Sequence, residues 1–197
     1  MKISVIGAGS TYTPELIKGF LDKVDRLPIE EIDLMDIDPT RLHVVGSFAQ
    51  RLVKRAGVSF RIVLSKDSHQ AIENADVVIT QLRVGQMPAR REDEYLGSRH
   101  SLVGQETTGI GGMSKALRTI PVILDICEQI QHVAPGALLL NFTNPSGLIM
   151  EAIQRYAPKI KAAGVCNSAF TTKMKILLRL SEKHREEYKA EDGELLT

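Results

Sequence analysis

The chain opens on a short apolar run, Lys2 to Ile6, that breaks into Gly7-Ala8-Gly9-Ser10-Thr11, and Thr13-Pro14-Glu15 follows with the marks of a helix start. A strand that turns through glycines straight into a helix is the opening of a βαβ unit, since parallel strands need such a crossover. Glycines let backbone come close to a phosphate. The helix N-terminus aims unpaired N–H groups and the positive end of its dipole at the same place. The full dinucleotide fingerprint has a third glycine where this chain has Tyr12. A plain strand-to-helix turn is the alternative reading.

The alternation continues to the far end. Thr13 is expected as N-cap of a helix running to Val24, and Glu31 to Asp36 as the second strand. Asp38-Pro39 opens a helix that Gly57 closes. Strands are predicted at Val58–Leu64, Asp76–Thr80, Ala137–Phe142 and Lys161–Val165. Helices are predicted at Ser68–Asn74, Met113–His132, Gly147–Tyr156 and Thr171–Lys189, before a tail, Ala190–Thr197, with no closing element. Between Gln81 and Gly112 the chain is rich in Arg, Glu, Asp and Gly without clear period, and reads as a long functional loop. The expected fold is α/β: a doubly wound parallel sheet of the Rossmann-like, NAD-binding kind over residues 1–170. Residues 171–197 follow as a separate stretch, a helix and the tail.

Composition excludes several roles. Lys and Arg total 25 against 24 Asp and Glu, a formal charge of +1, which argues against a nucleic-acid or anionic membrane partner. No run approaches the apolar length of a membrane span, and the N-terminal run stops at Gly7 without a cleavage signal. Two separated cysteines, Cys127 and Cys166, make a disulfide framework improbable and a reducing cytoplasm the expected location.

In a doubly wound sheet, ligands bind outside the carboxyl ends of the strands. That rule selects Gly7, Gly9, Ser10 and Thr11 for a pyrophosphate, and Asp36 for the adenosine ribose hydroxyls, with NAD preferred over NADP. Asp33 and Asp38 are the rivals of Asp36. It also selects Arg83, Arg90, Arg91, Asp93, Glu94 and Gly104–Gly112, where guanidinium forks suit a phosphate or carboxylate. A solvated, charged surface loop is the alternative there. Asn141-Phe142-Thr143-Asn144-Pro145 offers amides to a sugar or to nicotinamide, or is a simple Asn-Pro turn. Cys166, at a carboxyl strand end, could be a thiolate metal ligand, a nucleophile or filler, and residue type alone favours the core; Cys127, mid-helix among apolar neighbours, reads as core.

Taken in order, Gly-Ala-Gly-Ser-Thr, Arg83-Val-Gly-x-x-x-x-Arg90, Gly104-Gln-Glu-Thr-x-Gly-x-Gly-Gly, Asn141-x-x-Asn-Pro and Gly164-Val-Cys-Asn resemble the family 4 glycoside hydrolases up to about residue 170. The Gly-Gln-Glu-Thr segment is the most specific part. The resemblance implies hydrolysis of 6-phospho-glycosides with NAD and a divalent metal, usually Mn2+. The implied route is oxidation at C3, elimination, water addition and re-reduction, with no paired carboxylates. Carried over by position, it implies that Arg90 and Asn144 bind the substrate, that Arg83 lies by the cofactor, and that Cys166 binds the metal. Glu106 matches an acid that raises the basicity of a catalytic tyrosine. Asn167 stands where α-specific enzymes carry an acidic proton donor, which implies β-linked substrates: a phosphorylated disaccharide or an aryl 6-phospho-glucoside.

The family's Gly-x-Asn-His metal segment and its catalytic tyrosine have no counterpart here; Tyr12, Tyr95, Tyr156 and Tyr188 stand in other contexts. The resemblance implies a truncated chain, in which residues 171–197 begin a largely missing substrate- and metal-binding domain, that binds NAD with little turnover; the full-length protein is expected to form a homo-oligomer. The rivals are a lactate/malate-type 2-hydroxy-acid dehydrogenase, for which no catalytic histidine–aspartate pair is visible, and a non-catalytic NAD-sensing module.

Overall fold

The structure, a computed structural model, describes residues 1–184. The end of the last expected helix and the Ala190–Thr197 tail lie outside the described residues. Two compact units are distinguished, Met1–Gly164 and a second beginning at Val165.

The first unit runs β1 (Lys2–Ile6), α1 (Thr13–Leu21), β2 (Glu31–Met35), α2 (Pro39–Ala56), β3 (Arg61–Ser65), α3 (Ser68–Ile72) and β4 (Val77–Thr80), then α4 (Gln86–Arg99), α5 (Gly109–Val133), β5 (Leu138–Asn141), α6 (Ser146–Tyr156) and β6 (Lys161–Gly164). The six strands form one parallel sheet in the order β3-β2-β1-β4-β5-β6. The doubly wound expectation is met. Order reverses between β1 and β4, so the crevice at their carboxyl ends is the place for a ligand.

Helices on both faces explain why the central strands are apolar almost throughout. Ile3, Val5, Ile32 and Leu34 pack with Ile17, Leu42, Ala49 and Val53 on one face. Ile6, Met35, Val78 and Leu139 pack with Ile72, Ile123, Ile126, Ile130, Ile149 and Ile153 on the other. Neighbours Val5 and Ile6 thus point to opposite cores, as strand periodicity requires. Cys127 is fully buried, as expected, and burial pushes its thiol up to about 11.

Asp38 caps α2 as expected, its side chain accepting from the backbone N–H groups of Thr40 and Arg41, and Gly57 ends that helix at φ 68°. Two expectations fail. Thr13 is not an N-cap: it lies inside α1, fully buried, and its hydroxyl donates to the Ala8 carbonyl at 2.7 Å. The Gln81–Gly112 segment is not one long loop, because α4 occupies Gln86–Arg99 and α5 starts four residues earlier than expected, at Gly109. The buried face of α4 is made by Asp93 and Gly97, not by apolar residues, so the helix carries no hydrophobic period to read.

Candidate functional site

The Gly7–Thr11 turn lies at the reversal of the sheet. Gly7 takes φ +90°, and a Cβ there would come within 2.8 Å of the Leu82 Cα. A Cβ on Gly9 would meet Asp36 Oδ2 at 2.8 Å and Arg41 Cβ at 2.9 Å. Both glycines are therefore required by the protein's own packing, before any ligand is considered. Thr13, Gln81 and Thr143 stitch the turn to its neighbours. Gln81 Nε2 donates to Thr13 Oγ1 at 2.7 Å, and the Leu82 N–H donates to Thr143 Oγ1 at 3.1 Å. Tyr12, standing where the fingerprint has glycine, meets Phe142 edge-on, with ring centroids 5.9 Å apart. Among the described residues the Thr11 N–H has no acceptor, which leaves a donor open beside the α1 N-terminus.

Asp36 is half-buried at the end of β2. Its Oδ2 accepts from the Gly9 N–H at 2.8 Å and its Oδ1 from the Asp38 N–H at 2.9 Å. A carboxylate has about four acceptor positions, so about two remain open. The rivals have other tasks: Asp38 caps α2, and Asp33 is 3% exposed beneath Ser65. The glycine turn and a free-sided acid stand together, a cradle that fits a dinucleotide.

The next strand end carries the charge cluster. Arg83 follows β4, Arg90 sits on α4, Lys115 on α5, and Glu106 on the stretch between the two helices. Arg83 Nη1 and Lys115 Nζ both donate to Glu106 Oε2, the lysine at 3.1 Å, and Arg90 Nε lies 3.6 Å from the same oxygen. Arg90 Nε also donates to Glu94 Oε1 at 2.9 Å. Burial alone would raise the Glu106 carboxyl, but the hydrogen bonds from Arg83 and Lys115 outweigh it and hold Glu106 below the usual carboxylate range. The pairing with Glu94 raises Arg90 above its ordinary value. Among the described residues, the remaining N–H groups of Arg83 and the terminal ones of Arg90 donate to nothing. The expected Arg83, Arg90 and Glu106 are brought together. Arg91 turns instead to Tyr95, its guanidinium 5.2 Å from the ring centroid.

Lys115 was not singled out in the sequence. A signal existed: Gly111, Lys115, Thr119 and Ile123 recur every four residues on the buried stripe of α5. A lysine on such a stripe needs a buried partner.

The two asparagines of Asn141-x-x-Asn144 divide the work. Asn141 is fully buried, accepts from Thr80 Oγ1 at 2.9 Å and donates to the Thr143 carbonyl at 3.0 Å. Asn144, half-exposed and followed by a cis bond to Pro145, keeps its side-chain amide unused among the described residues. It is the one of the two that can meet a ligand.

In the second unit, Cys166 and Asn167 are exposed and precede α7 (Ser168–His184). Cys166 is thus not the core thiol that residue type alone suggests. Its hydrogen bond with the Ser168 hydroxyl, Sγ to Oγ at 3.2 Å, and the one it accepts from the Ser168 N–H at 3.4 Å lower its thiol below the ordinary value, which favours the thiolate. Among the described residues no group of three His, Cys, Asp or Glu could hold a metal ion. No helix among them is long and apolar enough to cross a membrane.

A family model described as Family 4 glycosyl hydrolase matches residues 2–182. The chain belongs to the family 4 glycosyl hydrolases. A probable 6-phospho-beta-glucosidase of Bacillus subtilis is 47% identical over 88% of this chain and 40% of its own length. A 6-phospho-beta-glucosidase of Escherichia coli is 43% identical over 88% of this chain and 39% of its own. Among solved structures, the 6-phospho-beta glucosidase of Thermotoga maritima with manganese, NAD+ and glucose-6-phosphate matches with TM-score 0.84 and 39% identity, covering 92% of this chain and 43% of that one. The chain therefore spans about two fifths of the length of these family 4 relatives.

Proposed function

We propose that this chain is the nucleotide-binding portion of an NAD- and divalent-metal-dependent 6-phospho-β-glucosidase. The observation that carries the reading is the adjacency of two half-sites. Gly7 packs against the Leu82 backbone, and the next residue, Arg83, grips Glu106. A nucleotide cradle and a cationic cluster with unused donors thus share one crevice, as an enzyme that uses NAD on a phosphorylated sugar requires.

When bound, NAD+ supplies a hydride acceptor able to return the hydride, and a divalent ion such as Mn2+ supplies a Lewis acid. The chain's own residues do the holding. The Thr11 N–H and the α1 N-terminus meet the pyrophosphate, and Asp36 takes the ribose hydroxyls while its charge disfavours a 2′-phosphate. Arg90 binds the sugar phosphate through its free terminal nitrogens. Arg83 borders the cofactor, and Asn144 offers its amide to sugar hydroxyls. Glu106, kept ionised by its cations, faces the reaction as a fixed negative charge. Cys166 contributes a thiolate to the metal. Asn167 cannot donate a proton as an acid would, which favours β-linked 6-phospho-glucosides.

The test uses the natural full-length protein and a chromogenic 6-phospho-β-glucoside, with NAD+ or Mn2+ omitted in turn. Aglycone release that needs both, without NADH accumulating, is expected. For the 197-residue chain, NAD+ binding with little turnover is expected. Release that persists without NAD+ would overturn the reading.

A further inference from the structure

Lys115 is 3% exposed, and its ammonium stands 3.1 Å from Glu106 Oε2, the oxygen that Arg83 also engages. Taking an ammonium out of water costs several kcal/mol unless a counter-charge meets it, and an apolar residue would complete the stripe of α5 without that cost. Glu106 needs the support. It lies between α4 and α5, outside regular structure, and Arg83 and Arg90, its other partners, are about one-third exposed on long flexible stems. Lys115 is the partner anchored in the interior.

We propose that Lys115 is a positioning residue for Glu106: its buried ammonium pins Oε2, leaves Oε1 as the open acceptor, and frees the outer donors of Arg83 and Arg90 for an anionic ligand. Among the described residues no hydrogen bond reaches Oε1. The inference rests on the reading that Glu106 works beside the sugar. The charged groups around Glu106 are Arg83 from the segment after β4, Arg90 and its partner Glu94 from α4, and Lys115 from α5. Burial lowers the Lys115 ammonium, and the hydrogen bond to Glu106 acts against that fall. Each group thus holds the other charged.

The test is a pair of NMR titrations on this chain, following the Glu106 carboxyl carbon and the Lys115 side chain. In Lys115→Met the Glu106 midpoint is expected to rise by at least about one pH unit, with Lys115→Arg recovering part of the shift. In Glu106→Gln the Lys115 midpoint is expected to fall by a similar amount. A lysine that only fills space would lower the melting temperature and leave the Glu106 midpoint in place, and that result in a folded Lys115→Met chain overturns the proposal. Should Lys115→Met fail to fold, the reciprocal measurement decides, because an unmoved Lys115 midpoint in Glu106→Gln overturns it equally. Neither titration involves cofactor, sugar or turnover. Failure of the glycosidase reading would appear separately, as aglycone release that does not depend on NAD+.

Discussion

Asp93 of α4 and Arg118 of α5 meet in a two-point ion pair, Nη2 to Oδ2 at 2.6 Å and Nη1 to Oδ1 at 3.2 Å. The Asp93 carboxylate is 2% exposed and takes a further hydrogen bond from Ser114 Oγ at 3.0 Å. Arg118 Nε donates to the Val84 carbonyl at 3.0 Å, so the same guanidinium ties the segment after β4 to both helices. Beside it, a Cβ on Gly111 would come within 2.6 Å of the Asp93 carbonyl oxygen, so the two helices meet backbone to backbone there. Polar contacts replace an apolar seam here. They place Arg83 and Arg90 on a common rigid frame.

Asp93→Ala should therefore destabilise the chain by about 3 kcal/mol, because it strands a guanidinium oriented for two bonds. Urea unfolding of parent and variant measures the difference. A loss below about 0.5 kcal/mol, the range of ordinary surface substitutions, would show that the brace is not structural.

Asp36→Ala should weaken NAD+ binding about 10- to 30-fold, from the loss of charge-assisted hydrogen bonds to ribose. It should also narrow the preference over NADP+. Calorimetric titration of both nucleotides, with a melting curve as control for the Gly9 and Asp38 contacts, checks this. Equal NAD+ affinity in variant and parent would remove Asp36 from the site.

Asp33 makes stability depend on pH. Burial raises its carboxyl above the ordinary value, outweighing the Ser65 hydrogen bond and the Lys2 ammonium. A carboxyl raised by folding keeps its proton more firmly in the native state. Its contribution is therefore complete below the unfolded value, about pH 4, and is lost as pH rises through the folded one. Asp33→Asn cannot ionise. Its stability relative to the parent should rise between pH 4 and pH 7, and chemical unfolding at both pH values measures the change. A difference that does not change with pH would refute the assignment.

The two thiols should separate cleanly under alkylation. Cys166 is exposed with a lowered thiol, whereas Cys127 is buried and pushed up to about 11. Iodoacetamide at neutral pH should label Cys166 alone in the folded chain, and Cys127 only after denaturation. Mass analysis of the peptides reads the result, and early modification of Cys127 would contradict its place in the core.

Much of this protein is local in origin and was legible without coordinates. The alternation of short apolar runs with capped helices specifies a parallel sheet, since each strand must be followed by a crossover. Asp38, Pro39 and Gly57 bound α2 by chemistry confined to a few residues. The Gly7–Thr11 turn and Asp36 follow from the position of strand ends alone. What escaped was the part whose meaning depends on a distant partner. Asp93 looked like a loop charge because its counterpart, Arg118, lies 25 residues away. Thr13 looked like a cap until Ala8 and Gln81 took its hydroxyl, and Lys115 drew no notice without Glu106 beside it. Periodicity reports burial only when burial is apolar. The sequence by itself determined the parallel sheet and the glycine turn after its first strand, because those rest on backbone geometry and hydrophobic repeat. Only the tertiary structure decided which charges are buried and paired, because a polar side chain's burial depends on what the rest of the fold brings within hydrogen-bond reach.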